Sequence, residues 1–505
     1  MRSLPEKLLD SATLRPEACA IKSGATETSY RDLWLRVGAV ARWLSGAGVA
    51  RGDRVALLCD ANADYVAGYY GALAIGATAV ALNTAARAAE IAGWIAHSGA
   101  AALVLDGRHP EAAKLGPVLD SELRVLARDG AALARQHDDL AAVLAAAEEP
   151  VRLASVTADT LAALIYTSGT TGNPKAVMLS HGNLAANTES IVEYLELSAS
   201  DSIVCVLPFY YSYGNSVLHT HLAAGAKLIV EPNLVYPHTV VETLARERGT
   251  GFAGGPSTFA LLASRVQFDK YDLSALRYVT QAGGPMSAAL TERVRALLPR
   301  ARLFVMYGQT EAAARLTYVP PERLSAKLGS VGIAIPGVEI EVRSEQGAPA
   351  SAPGEVWARG ANVMQGYWKD PQATERVLVD GWLNTGDMGR LDADGFLFLE
   401  GRRSDFIKVG AHRVYPRDIE SVIEELPGVA EVAVVGTSDD LLGEVIKACI
   451  VRDAHTSLTD TAVKAHCRAR LANYKIPKVV EFVPALPKTA SGKVRRHLLV
   501  NQLAG

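Results

Sequence analysis

Cysteine is scarce in this chain: the five residues Cys19, Cys59, Cys205, Cys449 and Cys467 are scattered, odd in number and without C-x-x-C spacing. That pattern argues against a disulfide framework and against a zinc site, and it suits a reducing compartment. Excess charge is also lacking, since the formal net charge is -3, which provides no general attraction to nucleic acid or to an anionic membrane. The N-terminal Met1-Arg2-Ser3-Leu4-Pro5-Glu6-Lys7 has no apolar core of the kind a signal peptide needs, so a cytoplasmic location is expected. One uncharged run, Tyr65 to Leu82, reaches the length of a short membrane span. It holds three glycines and three tyrosines and ends in the strand-like Ala79-Val80-Ala81-Leu82, so it reads as a buried helix followed by a core strand. No internal repeat and no low-complexity segment is apparent, and no G-x-x-x-x-G-K-[ST] string marks a P-loop.

What the chain does have is enough length and apolar content for several cores. Its 505 residues predict two or more domains, and 49% hydrophobic with 21% charged residues is the composition of a folded globular protein. Thr28-Ser29-Tyr30 opens a helical pattern to about Ala47, and Gly52-Asp53 turns into the strand Arg54-Val55-Ala56-Leu57-Leu58. Further strand-like runs at 102–105, 203–206, 227–230 and 278–280 are separated by helix-length segments. That alternation predicts an α/β fold with largely parallel sheets. From about 330 to 400 short strands and turns suggest a small β subdomain, and after Gly401-Arg402 a roughly hundred-residue α+β unit begins. The expected division is therefore 1–403 and 404–505. From Arg468 to Arg496 the tail carries eight lysines and arginines against the single acid Glu481, and it is expected to form a phosphate-facing surface.

The most informative segment is Tyr166-Thr167-Ser168-Gly169-Thr170-Thr171-Gly172-Asn173-Pro174-Lys175, directly after the apolar run Leu161-Ala162-Ala163-Leu164-Ile165. Glycines let backbone N–H groups converge on an anion, hydroxyls donate to its oxygens, and Lys175 adds a mobile positive charge. Taken alone, such a stretch reads more often as a solvated linker. Four other strings follow it in order: Tyr307-Gly308-Gln309-Thr310-Glu311-Ala312, Thr385-Gly386-Asp387, Gly401-Arg402 leading to Arg413-Val414-Tyr415-Pro416, and Pro487-Lys488-Thr489-Ala490-Ser491-Gly492-Lys493. Together they span more than three hundred residues, and nearly the whole chain resembles the adenylate-forming (ANL) superfamily of acyl-CoA synthetases, nonribosomal-peptide adenylation domains and beetle luciferases.

The resemblance implies a large N-terminal domain of parallel-sheet α/β subdomains with a small β subdomain, capped by a separate mobile α+β lid. It also implies a reaction in which a carboxylate attacks the α-phosphorus of ATP, pyrophosphate departs, and the acyl-AMP is passed to the thiol of coenzyme A. In this implied assignment Thr167, Ser168, Gly169, Thr170, Thr171, Gly172 and Lys175 hold the β- and γ-phosphates. Glu311, beside Thr310, ligates Mg2+, for which a hard oxygen donor is the suitable ligand. Gly283-Gly284-Pro285 with Tyr307 and Gly308 frame the adenine, and Asp387 with Arg402 read the ribose hydroxyls. Lys493, delivered by the lid, meets the substrate carboxylate and the α-phosphate. The hinge falls on Ser404, where the family usually has Asp or Lys, and Gly410, Ala411 and Arg413 line the thiol path, with Ala411 at a position that is often glycine.

The acid pocket is expected near Pro208 to Asn215, with Tyr211, Ser212, Tyr213 and Gly214 as its candidates. Family members that activate α-amino acids carry an aspartate in this segment to pair with the ammonium, and this chain has none there. A buried ammonium without a counter-charge is costly, so an apolar aliphatic or aryl acid is expected. The three tyrosines suit core packing equally well. Two alternatives to a CoA ligase stay open at this stage: a ligase that charges an acyl carrier protein, and an inactive acyl-adenylate-binding relic. Retention of Lys493, Glu311 and Asp387 argues against the relic.

Overall fold

The computed structural model describes residues 1–146, 151–167, 175–231, 236–344, 353–402, 407–409, 412–439, 443–453, 456–488 and 494–500. Two large sheets form its bulk. The first runs in the order Ile333–Ala334, Thr317–Tyr318, Arg302–Tyr307, Tyr278–Gln281, Gly251–Gly254, Ser202–Cys205, Lys227–Val230, Cys19–Ser23, Thr26–Ser29. Its pairings are parallel from Arg302–Tyr307 to Cys19–Ser23 and antiparallel only at the two margins. The second runs Gly366–Tyr367, Lys175–Ser180, Leu161–Thr167, Thr78–Ala81, Arg54–Leu58, Ala100–Asp106, Arg124–Arg128, Asp138–Asp139, again parallel in its interior. Parallel strands need crossovers that cover both faces, which is why strands such as Lys227–Val230 and Tyr278–Gln281 are buried along their length rather than on alternate residues.

The uncharged run from Tyr65 resolves as expected. Asn62 caps the helix Ala63–Ala74 by accepting from the amides of Asp64 and Tyr65, all twelve helical residues are buried, and Thr78–Ala81 follows as a central strand. No described helix is long and apolar enough to cross a membrane. The helix expected from Thr28 to Ala47 spans Tyr30–Gly46, with the Ser29 hydroxyl accepting from the Asp32 amide at its start.

A third, antiparallel sheet contains Val338–Arg343, Gly354–Gly360, Trp382–Leu391 and Leu378–Val379, with Leu397–Arg402 paired to Trp382–Leu391. Beyond it the C-terminal domain has its own sheet of Val429–Asp439, Gly443–Arg452 and Val479–Phe482 under the helices Pro416–Ile423 and Asp460–Arg470. Among the described residues its core, including Ile407, Ile419, Val434, Ile450 and Val463, draws on none before 407.

The basic tail departs from expectation. Lys475 pairs with Asp418, Lys488 with Glu431 at 2.7 Å, Arg470 with Glu425 at 3.0 Å, and Arg496 with Glu420. A one-dimensional count of eight cations against one acid missed these partners because they lie more than forty residues upstream, on the helix Pro416–Ile423 and near the strand Val429–Asp439. Four of the eight cations are thus engaged with acids of their own domain, while Lys493 lies outside the described residues.

Candidate active site

The site forms where the parallel strands of the first sheet end, the edge at which open α/β sheets bind ligands. Strands Tyr278–Gln281 and Arg302–Tyr307 are neighbours in register, Gln281 opposite Val305, so the Gly283-Gly284-Pro285 turn and Tyr307 leave the sheet side by side. Gln281 Nε2 donates to the Gly284 carbonyl at 2.9 Å and fixes the turn, in which Gly283 takes φ +86°. Gly308 follows Tyr307, and a Cβ there would sit 2.1 Å from the Ala314 carbonyl oxygen. The chain can therefore fold back tightly into the single turn Thr310–Ala312 only with glycine at that position.

Tyr307, Asp387 and Arg402 come together from two sheets. The Tyr307 hydroxyl donates to Asp387 Oδ2 at 2.6 Å, and Arg402 Nε lies 3.0 Å from Asp387 Oδ1. Asp387 and Arg402 are direct partners across Trp382–Leu391 and Leu397–Arg402, which explains their spacing in sequence. Burial, reinforced by the adjacent carboxylate, pushes the Tyr307 phenol far above its ordinary value, so it stays neutral and donates. A carboxylate offers about four acceptor positions; two are engaged here, and the remaining two suit a pair of vicinal hydroxyls.

Thr310 and Glu311 occupy the turn after Gly308. Thr310 Oγ1 donates to Ser212 Oγ at 3.1 Å, joining this motif to the expected acid pocket. Glu311 Oε1 accepts from the Tyr367 hydroxyl at 2.9 Å, which leaves Oε2 for a cation. Among the described residues no group of three or more His, Cys, Asp or Glu side chains could hold a metal. A single carboxylate fits a hard ion held mainly by phosphate oxygens, which is how Mg2+ usually binds beside nucleotides. When bound, such an ion neutralises charge on the transferring phosphates.

Thr167 and Lys175 are paired across the hairpin Leu161–Thr167 and Lys175–Ser180, whose connection is the expected phosphate loop. Ser168, Gly169, Thr170, Thr171 and Gly172 lie outside the described residues, as do Ser404, Gly410, Ala411 and Lys493. Arg413 lies on the strand His412–Val414, opposite Lys408, and its side chain is likewise outside the described part. Lys175 Nζ sits 4.7 Å from the centroid of the Tyr367 ring. Tyr367 carries no sequence signal beyond being an aromatic in a two-residue strand, and the sequence reading missed it.

The four pocket candidates open the helix Ser212–Ala223. Tyr211 and Ser212 are part-exposed, and Tyr211 packs against Tyr210 with ring centroids 4.5 Å apart. Tyr213 is buried and turned into the sheet, its hydroxyl 2.9 Å from the Thr280 carbonyl and 2.8 Å from Thr280 Oγ1. A Cβ on Gly214 would lie 2.1 Å from the Pro208 carbonyl oxygen, which gives this glycine a packing reason of its own. Behind Tyr213 lies a residue the sequence reading did not single out. Arg315 is 2% exposed, its guanidinium 4.8 Å from the Tyr213 ring centroid and 3.2 Å from the Tyr194 hydroxyl. Among the described residues no carboxylate lies within ion-pair distance of it.

Further along the same helix two histidines are locked as neutral rings. His219 accepts from the Tyr70 hydroxyl at Nδ1 (2.9 Å) and donates from Nε2 to Asn215 Oδ1 (2.8 Å). His221 donates from Nδ1 to the Val217 carbonyl (2.8 Å) and accepts from Tyr278 at Nε2 (2.6 Å). Burial holds His219 down to about 3, and His221 and His181 down to about 4, against an ordinary 6.5. As pH falls below 6.5 the unfolded chain takes up protons that these folded sites refuse until pH 3 to 4. Stability is therefore full above 6.5 and is lost between 6.5 and about 4. Urea unfolding at pH 5 should show a loss on the order of 2 kcal/mol for each buried histidine relative to pH 7.5. A midpoint that does not move over that range would contradict the assignment.

Residues 8–368 match the family model for AMP-binding enzymes, and 418–493 match that for the AMP-binding enzyme C-terminal domain. The chain is 34% identical over 490 residues to a feruloyl-CoA synthase from an Amycolatopsis species, covering 96% of this chain and 95% of that protein. It is also 34% identical over 492 residues to the indoleacetate–CoA ligase of Aromatoleum aromaticum, with 96% and 95% coverage. Its fold superimposes on the crystal structure of the anthranilate CoA ligase AuaEII in complex with anthranoyl-AMP with a TM-score of 0.91, at 26% identity over 99% of this chain and 96% of that one. The fold and site thus define an AMP-forming acid–thiol ligase that draws on ATP, Mg2+ and coenzyme A. The chain belongs to the AMP-binding enzyme family, within the adenylate-forming superfamily.

Proposed function

We propose that this enzyme converts an apolar carboxylic acid, aryl or aliphatic, to its acyl-AMP and then to its CoA thioester. In this reading Asp387, held by Tyr307 and Arg402, accepts the ribose hydroxyls, and Gly283-Gly284-Pro285 with Tyr307 and Gly308 frame the base. The hairpin loop from Thr167 to Lys175 takes the terminal phosphates, and Glu311 and Thr310 stand at the metal position. Lys493 supplies the charge at the reacting carboxylate, and the lid, starting at Ser404, swings to expose a thiol path along Gly410, Ala411 and Arg413.

One observation carries the choice of acid. The buried ion behind the pocket wall is the cation Arg315, 4.8 Å from the Tyr213 ring, and the segment Pro208 to Asn215 has no carboxylate. An α-ammonium entering there would find no counter-charge in that segment, so an amino acid is disfavoured and a simple carboxylate is not. The named acids of the relatives, ferulate and indoleacetate, support an aryl or arylalkyl acid. Coenzyme A is favoured over a carrier protein because four cations of the basic tail are engaged by acids of their own domain, leaving less open charge to meet an acidic carrier. A cytoplasmic setting suits the CoA reading.

The test incubates enzyme, MgATP and a panel of aryl, aliphatic and α-amino acids with CoA or with a phosphopantetheinyl carrier protein, and identifies thioesters by mass spectrometry. CoA thioesters of apolar acids are expected. Products only from amino acids, or only on the carrier, would overturn the reading.

A further inference from the structure

Three segments distant in sequence meet at one tyrosine. Tyr367 pairs with Val177 across the antiparallel strands Gly366–Tyr367 and Lys175–Ser180. Lys175 is therefore its diagonal neighbour on the same face, and the Lys175 ammonium lies 4.7 Å from the ring centroid. On the other side the Tyr367 hydroxyl donates to Glu311 Oε1 at 2.9 Å. Backbone contacts tie these segments together, for the Met364 amide donates to the Glu311 carbonyl at 2.8 Å and Asn362 Nδ2 donates to the Ala312 carbonyl at 3.1 Å. Tyr367 is 8% exposed, so the ring has little room to turn away. Among the described residues Lys175 has no carboxylate within 4.0 Å, although Glu311 shares the same tyrosine with it.

We propose that Tyr367 is a positioning residue that keeps the loop lysine and the metal-ligating carboxylate apart while holding each ready for its own partner. A direct Lys175–Glu311 ion pair would engage the oxygen needed by a cation and the ammonium needed by a phosphate. The ring gives the ammonium an alternative electrostatic partner, its π face. The hydroxyl occupies Oε1 and leaves Oε2 for a cation, the kind of outer contact that sets how well a ligand presents itself. This inference rests on the reading of Glu311 as the metal ligand, and the experiment below separates failure of the two.

The variants Tyr367→Phe, Tyr367→Leu, Tyr367→Leu with Lys175→Met, and Glu311→Gln are compared by Mn2+ binding, followed by electron paramagnetic resonance with α,β-methylene-ATP present. Circular dichroism and thermal unfolding check folding of each. Tyr367→Phe keeps the ring and loses the hydroxyl, and Mn2+ affinity should fall about tenfold, the lower end of what loss of an outer-shell partner costs. Tyr367→Leu loses the ring as well and should weaken Mn2+ binding about tenfold further as Lys175 turns to Glu311. Lys175→Met alone is measured as well to fix the cost of losing the phosphate contact; relative to it, the double variant should bind Mn2+ only about tenfold more weakly, the Tyr367→Phe loss, a rescue that a merely structural role would not give. Wild-type Mn2+ affinity in Tyr367→Phe, or no rescue in the double variant, overturns the proposal. Undiminished binding in Glu311→Gln shows instead that Glu311 is not the ligand, and the proposal falls with that reading.

Discussion

Asp387→Asn should lower kcat/KM for ATP by on the order of a hundredfold to a thousandfold while leaving the enzyme folded. Its carboxylate accepts from Tyr307 through one oxygen and faces Arg402 through the other, and in the proposed reading it accepts two ribose hydroxyls as well. Asparagine keeps one acceptor oxygen and turns an NH2 group toward donors, so at least one buried partner and one substrate hydroxyl lose a charged acceptor. Hydrogen bonds to charged groups are each worth about 1.5–3 kcal/mol, and losing two near the lower end, about 3–4 kcal/mol together, gives the stated range. Arg402 remains part-exposed and can be solvated, which limits the cost in stability. Isothermal titration with AMP, alongside initial rates, separates binding from chemistry. An unchanged affinity for AMP would mean that Asp387 does not read the ribose.

Lys493→Ala should be more severe and more selective. One ammonium about 4 Å from a reacting anion, at an effective dielectric near 20, is worth roughly 4 kcal/mol, or on the order of a thousandfold in rate. Three other cations of the tail, Lys475, Lys488 and Arg496, are engaged with Asp418, Glu431 and Glu420 and are not free to replace it. Acyl-AMP formation should collapse while thioester formation from supplied acyl-AMP continues at near the wild-type rate. Equal loss of both half-reactions would assign Lys493 a structural role instead.

Much of this was legible in the sequence because the informative features are local. Apolar runs such as Lys227–Val230 mark parallel strands by composition alone, and Ser29 announces its helix by capping it. The motif Tyr307 to Ala312 sits on a strand end and the turn beyond it, and Thr385 to Asp387 lies within the single strand Trp382–Leu391, so short spacing preserves their geometry. What was not legible depends on contacts between distant segments. The basic tail looked open because its acids precede it by more than forty residues. Tyr213 belongs to the pocket segment in sequence, yet its hydroxyl turns to Thr280 in another strand. Tyr367 and Arg315 carry no local signature, and their importance comes from what lies against them: an ammonium and a carboxylate in one case, a tyrosine ring and, among the described residues, no carboxylate at ion-pair distance in the other.

The central claim is that these residues assemble a nucleotide-dependent activation of a carboxylic acid. Acid-dependent exchange of labelled pyrophosphate into ATP, measured without CoA, tests it most directly. Exchange should appear with apolar acids, require Mg2+ and vanish in Glu311→Gln and Lys493→Ala. Exchange that is absent with every acid, or that proceeds undiminished in those two variants, would contradict the account.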